Sequence, residues 1–147
     1  MKKILVPLDG SDHAFKALDI ALHLADPKGA EITLLHVTPT REIPAGLRRF
    51  AEVEHIENGA EWLYDKALGE RMLAAASEQA DGRTPRKLSV TVHSGDPATG
   101  ICKVAEELGV DAVVLGSRGL SEIGGLVMGS VSRKVSNASP CTVITVR

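Results

Sequence analysis

Lys3-Ile4-Leu5-Val6-Pro7-Leu8, followed by Asp9-Gly10-Ser11, is the stretch on which the fold of this chain turns. The run is short and almost continuously apolar, as expected of a strand buried on both faces. Asp9-Gly10 breaks it. Ser11 then offers a side-chain oxygen suited to cap a helix, and Asp12 places negative charge at the positive end of the helix dipole. Beyond the cap, Ala14, Ala17, Leu18, Ala21, Leu22 and Ala25 recur at helical spacing. Pro27-Lys28-Gly29 stops this helix, and Glu31 to Val37 reads as a second strand. A strand–helix–strand unit crosses over right-handedly, so the two strands run parallel.

The alternation continues along the chain. A connection from Thr38 to Arg49 holds Pro39, Pro44 and Gly46. Beyond it a helix carries Leu63, Ala67, Leu68 and Ala75 on one face, with Asn58-Gly59 interrupting an earlier turn that contains Phe50 and Val53. Asp81 to Pro85 ends that helix, and Leu88 to Val92 alternates with the period of a third strand. Asp96-Pro97 is a strong helix start, Ala98, Ile101, Cys102, Ala105 and Leu108 line the apolar face, and Gly109 ends it. Asp111 to Gly116 is the fourth strand, Ser130 to Asn137 a short helix, and Cys141 to Arg147 the fifth strand. Five strands alternating with four helices predict an α/β fold, a doubly wound parallel sheet with helices on both faces. No repeat, low-complexity tract or linker divides the chain. Residues 1–147 are therefore expected to form a single domain, which suits this length.

Composition narrows the function. Lysine plus arginine (17) nearly balances aspartate plus glutamate (19), so no basic excess points to general nucleic-acid binding. The aromatic residues Phe15, Phe50, Trp62 and Tyr64 are too few for the stacking platforms of single-strand binders, and Trp62 and Tyr64 read as helix packing. Cys102 and Cys141 show neither CxxC spacing nor a neighbouring histidine cluster, and read as free or buried thiols. The apolar segment after Met1-Lys2-Lys3 is too short for a signal-peptide core, and no 18-residue apolar run occurs. The chain is expected to be soluble and cytoplasmic, with no membrane insertion.

In an open parallel sheet, ligands bind beyond the carboxyl ends of the strands, where the strand order switches. The segment after Leu115 is the most informative of those ends. It runs from Gly116-Ser117-Arg118-Gly119-Leu120-Ser121 through Gly124, Gly125 and Gly129 to Ser130-Val131-Ser132, with five glycines in 14 positions. Glycine lets backbone amides approach a phosphate, and a helix N-terminus adds unpaired N–H groups. Glycine-rich loops also serve as plain strand-to-helix connections, but this one is long against the roughly 2–6 residues usual there. Gly124-x4-Gly129 has the spacing of P-loop glycines, yet Ser130 stands where that motif needs lysine. Gly-x-Gly-x-x-Gly is absent as well. On the residues alone Asp9 is an acid, a metal ligand, a ribose acceptor or the turn residue before the Ser11 cap. His36 reads as a satisfied core histidine, and Arg41, Arg48 and Arg49 as a solvated basic cluster.

Gly116-x2-Gly119-x9-Gly129-Ser130 resembles the nucleotide-binding signature of the universal stress protein family. Ile4 to Ser11 resembles that family's first strand and turn, Leu34 to Val37 its second strand, Asp111 to Gly116 its fourth, and Ser139-Pro140-Cys141 the approach to its last. The resemblance extends over essentially the whole chain. It implies a sheet order of 3-2-1-4-5 and an ATP site, with or without magnesium, across the ends of strands 1 and 4. By that resemblance Pro7 and Val37 border the adenine and Asp9 or Gly116 reaches the ribose. Gly119, Gly129, Ser130, Val131 and Ser132 hold phosphates, and Ser117, Arg118, Leu120 and Ser121 complete the site.

The same likeness implies a nucleotide-responsive regulatory protein of the stress response, with at most weak ATPase activity. A slow magnesium-dependent ATPase is the alternative, since Arg118, Arg133 and Lys134 supply charge while the P-loop lysine is missing. The last strand, with Val143, Ile144 and Val146, is then an open sheet edge. Its pairing gives the homodimer that the family commonly forms. A protein partner such as a membrane transporter also accords with the family.

Overall fold

In the computed structural model, which describes residues 1–38, 44–56, 59–80, 87–119 and 128–147, the first strand, β1 (Lys3–Pro7), is the centre. Ile4, Leu5 and Val6 are essentially inaccessible, as their unbroken apolar character demands. The chain continues as α1 (Asp12–Leu24), β2 (Glu31–Thr38), α2 (Ala45–Val53), α3 (Gly59–Ala80), β3 (Lys87–Ser94), α4 (Pro97–Leu108), β4 (Ala112–Gly116), α5 (Ser130–Ala138) and β5 (Thr142–Val146). All pairings are parallel, and the strand order is β3-β2-β1-β4-β5. The doubly wound α/β sheet is therefore as read from the sequence, and its order is the one the family resemblance implies. No described helix is long and apolar enough to cross a membrane.

The sheet separates two apolar layers, and the alternation of each strand assigns its residues to them. Ile4, Val6, Ile32, Leu34 and Val114 pack beneath α1, with Met72 and Ala76 of α3 closing the layer. Leu5, Leu35, Val113 and Leu115 point the other way, against Ile101, Val104 and Ala105 of α4 and Val135 of α5. The helix ends follow the chemistry read from the sequence. Ser11 Oγ accepts from the Ala14 amide at 3.2 Å. Asp96 accepts from both the amide and the hydroxyl of Thr99, and Gly109 ends α4 with φ of 56°.

Several expectations need correction. The 38–49 connection contains the start of α2, so the described residues hold five helices rather than four. Pro44 is the residue before its first turn, where a missing N–H removes no helical bond. Arg48 and Arg49 thus sit on a helix, exposed, while Arg41 lies outside the described residues. In α3 the inward residues are Met72 and Ala76, whereas Ala67 and Ala75 are exposed. The side chain of Trp62 lies outside the described set. Leu108 of α4 is 39% exposed rather than inward. The third strand is longer than its alternating core, because β2 offers it a partner residue all the way from Glu31↔Lys87 to Thr38↔Ser94.

One side chain stitches the amino ends of β1 and β4 together. Asp111 Oδ2 accepts from the amides of Lys2 and Lys3 at 2.7 and 2.9 Å, and the Asp111 amide donates to the Lys3 carbonyl. The bond from Lys3, then that from Lys2, holds the carboxyl below the ordinary aspartate range. A depressed native pKa stabilises the fold at neutral pH, and that contribution disappears as pH falls below about 3.9 and through the native value. Asp111→Ala is expected to lower the melting temperature at neutral pH. The gap to wild type should shrink in acid, as followed by thermal unfolding across pH.

Candidate functional site

At the carboxyl ends of β1, β2 and β4 the sheet opens into a cavity of about 420 Å³. This is the place where β1 has β2 on one side and β4 on the other, so the connections leaving these strands diverge. One wall is apolar, formed by Pro7, Leu8, Leu35, Val37, Pro97, Ile101 and Leu115. The other carries Asp9, Gly116, Arg118, Gly119 and the first turn of α5, Gly129 to Ser132.

The floor between β1 and β4 depends on two glycines. A Cβ on Gly116 would lie 2.8 Å from the backbone carbon and Cβ of His13 and 3.0 Å from the Ala14 amide nitrogen. Strand β4 therefore meets the first turn of α1 at a distance only glycine permits. A Cβ on Gly119 would lie 2.7 Å from Asp9 Oδ2. Asp9 is set by its own turn, since its Oδ1 accepts from the Ser11 amide at 2.9 Å. That bond leaves the second carboxylate oxygen facing Gly119 across the gap between the two strand ends.

The rim at α5 is held from beneath by Ser117. Its amide donates to the Val146 carbonyl of β5 at 2.7 Å. Its carbonyl accepts from the Gly129 amide at 2.7 Å and from Ser132 Oγ at 2.8 Å. The chain that leaves β4 thus returns to within a hydrogen bond of its departure point. Arg133 makes the first intrahelical bond, to the Gly129 carbonyl. The amides of Val131 and Ser132 accordingly have no acceptor among the described residues, and both residues line the cavity. Unpaired first-turn amides at the positive end of a helix dipole favour an anion.

Of the thirteen residues named from the sequence, ten line this one cavity: Pro7, Asp9, Val37, Gly116, Arg118, Gly119, Gly129, Ser130, Val131 and Ser132. Ser117 is not among the lining residues. It is 3% exposed, and its hydroxyl has no partner among the described residues. Leu120 and Ser121 lie outside the described residues. Sequence reading did not assign Ala14, Leu35, Leu115, Pro97 and Ile101 to the site: Ala14, Leu35, Leu115 and Ile101 are ordinary core residues by pattern, and Pro97 read as a helix start. His36 is satisfied, as read from the sequence, by donating from Nδ1 to the Leu8 carbonyl at 2.8 Å. It is nevertheless only half-buried and forms part of the wall. No cluster of three metal-ligating side chains exists among the described residues.

Comparison with known proteins places these features in context. The pattern of the Universal stress protein family matches residues 1–147. The universal stress protein YxiE of Bacillus subtilis is 38% identical over 151 residues, covering 99% of this chain and 98% of that protein. The solved structure of MJ0577 from Methanocaldococcus jannaschii superposes with a TM-score of 0.74 at 28% identity, covering 99% of this chain and 94% of that one. A universal stress protein solved in complex with cAMP shares the fold with a TM-score of 0.66, at 23% identity over 99% of this chain and 96% of that one.

The contact at Gly116 is independent of any ligand. Gly116→Ala is expected to destabilise the fold by about 1–3 kcal/mol, because the backbone of α1 must shift to admit the methyl group. Denaturant unfolding without ligand measures this. An unchanged midpoint would mean that β4 and α1 are not in the contact described.

Proposed function

The chain belongs to the universal stress protein family, and on that premise we propose that it is an ATP-binding regulatory protein of the stress response. The observation that carries this reading is the pairing of an apolar wall with unpaired helix-terminal amides in one cavity. A purine requires the first and a phosphate chain the second. In this proposal Pro7 and Val37 enclose the adenine, with Ile101 and Leu35 behind them. Asp9 accepts from a ribose hydroxyl near Gly116. The phosphates meet the amides of Gly119, Val131 and Ser132, with Arg118 as a neighbouring cation.

Among the described residues that line the cavity there is no lysine, and Arg118 is the cation available to a transferring phosphoryl group. Phosphoryl transfer calls for stronger charge neutralisation than this. Binding is therefore favoured over turnover, with magnesium-dependent hydrolysis as a slow side activity. The response to nucleotide is read out by a protein partner, of which a membrane transporter is one kind.

Pairing of β5 edges completes the proposal. Val143, Ile144 and Val146 are only half-buried at the end of the sheet, whereas Ala112 to Leu115 of the neighbouring strand are buried. An apolar edge with free backbone groups invites a second copy, and two-fold pairing of identical edges closes it.

Isothermal titration with ATP tests the nucleotide site. Wild type is expected to bind. Gly119→Val, whose side chain would displace the Asp9 carboxylate, is expected to lose affinity by at least about ten-fold, roughly 1.4 kcal/mol. Its melting temperature without ligand should change little. Steady-state turnover above about 1 s⁻¹ would favour the enzyme reading instead. Light scattering tests the edge: wild type should have the mass of a dimer and Val143→Lys that of a monomer with an unchanged circular dichroism spectrum. A dimer in both would exclude β5 pairing.

A further inference from the structure

The hydroxyl of Ser132 belongs to the cavity by sequence position but not by its bonding. We infer that Ser132 is a positioning residue: through Ser117 it fixes the anion-binding turn of α5, and its hydroxyl does not touch the ligand. This inference rests on the nucleotide-binding reading above.

Three observations carry it. Ser132 is 2% exposed, so its side chain points into the protein although the residue borders the cavity. A serine hydroxyl has one proton to give. Here Oγ donates to the Ser117 carbonyl at 2.8 Å and also lies 3.1 Å from the Gly129 carbonyl, so the proton is shared between two backbone acceptors. The same Ser117 carbonyl accepts the Gly129 amide at 2.7 Å, using both of its lone pairs. A phosphate therefore finds neither the Ser132 hydroxyl nor the Gly129 amide available. What it finds are the backbone amides of Val131 and Ser132.

The use of this arrangement follows from what those amides need. A site made of backbone donors has no side chain that can swing toward the ligand, so its strength lies in donors held in place beforehand. No side chain caps the N-terminus of α5. The turn is instead tied at Gly129 and at Ser132, both to one carbonyl. That carbonyl is itself immobilised, because the Ser117 amide is bonded to Val146 of β5. Ser132 is thus the second tie, and it sets the direction in which the first-turn amides face the cavity.

The test joins ligand affinity to backbone exchange in the full chain. In Ser132→Ala the Gly129 amide should exchange with solvent faster than in wild type. Affinity for ATP by titration calorimetry should fall about five-fold, as expected when one hydrogen bond of ordinary net strength is lost. Ser132→Thr keeps a hydroxyl to donate to the Ser117 carbonyl and should restore both. An Ala variant with wild-type exchange and wild-type affinity overturns the inference. So does loss of all measurable binding, which would make the hydroxyl a ligand contact. If wild type itself fails to bind ATP, the proposed function fails. The clasp is then judged on exchange alone: protection of the Gly129 amide that is lost in Ser132→Ala upholds it, and an unprotected amide in wild type overturns it.

Discussion

The carbonyl of Ser117 is the point to which the cavity end of this protein is fastened. It accepts the Gly129 amide and the Ser132 hydroxyl, while the amide of the same residue donates to Val146. A connection between a strand and a helix normally needs few residues, and closing a longer one carries an additional entropic cost. That cost is offset where the segment ends are joined, and here they are joined at one buried peptide group. Without it α5 would be aimed by apolar packing, such as that of Val135 and Val131 against the layer beneath. Apolar packing is not directional enough to orient amides, whereas hydrogen bonds of 2.7 and 2.8 Å are.

The cavity is a consequence of topology as much as of sequence. With β1 central and β2 and β4 on either side, the chain leaves neighbouring strands in different directions and a gap opens at their carboxyl ends. Its depth is limited by how closely α1 approaches β4, and Gly116 removes the side chain that would hold them apart. At the opposite end Asp111 ties the start of β4 to the start of β1. The two strands are thus joined at the amino end by hydrogen bonds and open at the other. A carboxylate and a glycine, at opposite ends of one strand, shape the cavity end between them.

Much of this was legible in the sequence because the signals were local. Ser11, Asp96 and Gly109 do what their chemistry predicts at helix ends, and the buried β1 run could hardly be anything else. The start of α2 was not legible, because Pro44 and Gly46 read as breakers when one of them in fact precedes the helix and the other sits in its first turn. The inward face of α3 was misjudged for a different reason: Ala74, Ala75 and Ala76 are interchangeable by pattern, and only packing against the sheet selects Ala76. In the candidate site, the glycine spacing pointed to the strand ends at which the cavity opens. It did not reveal the apolar wall contributed by Pro97 and Ile101, since neither a helix-start proline nor a residue on an ordinary core stripe gives a sign that a cavity lies beside it. Nor could spacing show that the Ser132 hydroxyl turns inward, because its acceptor is a backbone carbonyl fifteen residues earlier.

The choice of donors bears on the chemistry such a cavity suits. Backbone amides and a helix dipole present fixed partial charges, which stabilise a phosphate in place and release no proton. A hydrolytic site needs more: a group to orient the attacking water and strong positive charge on the leaving oxygens. Among the side chains that line the cavity, the Ser132 hydroxyl is bonded to backbone and His36 is bonded to the Leu8 carbonyl through Nδ1. Asp9 is tied to its own turn through one oxygen. Each is bound to the fold before any ligand arrives. Such groups are held in one orientation by the fold, on the same footing as the backbone donors beside them.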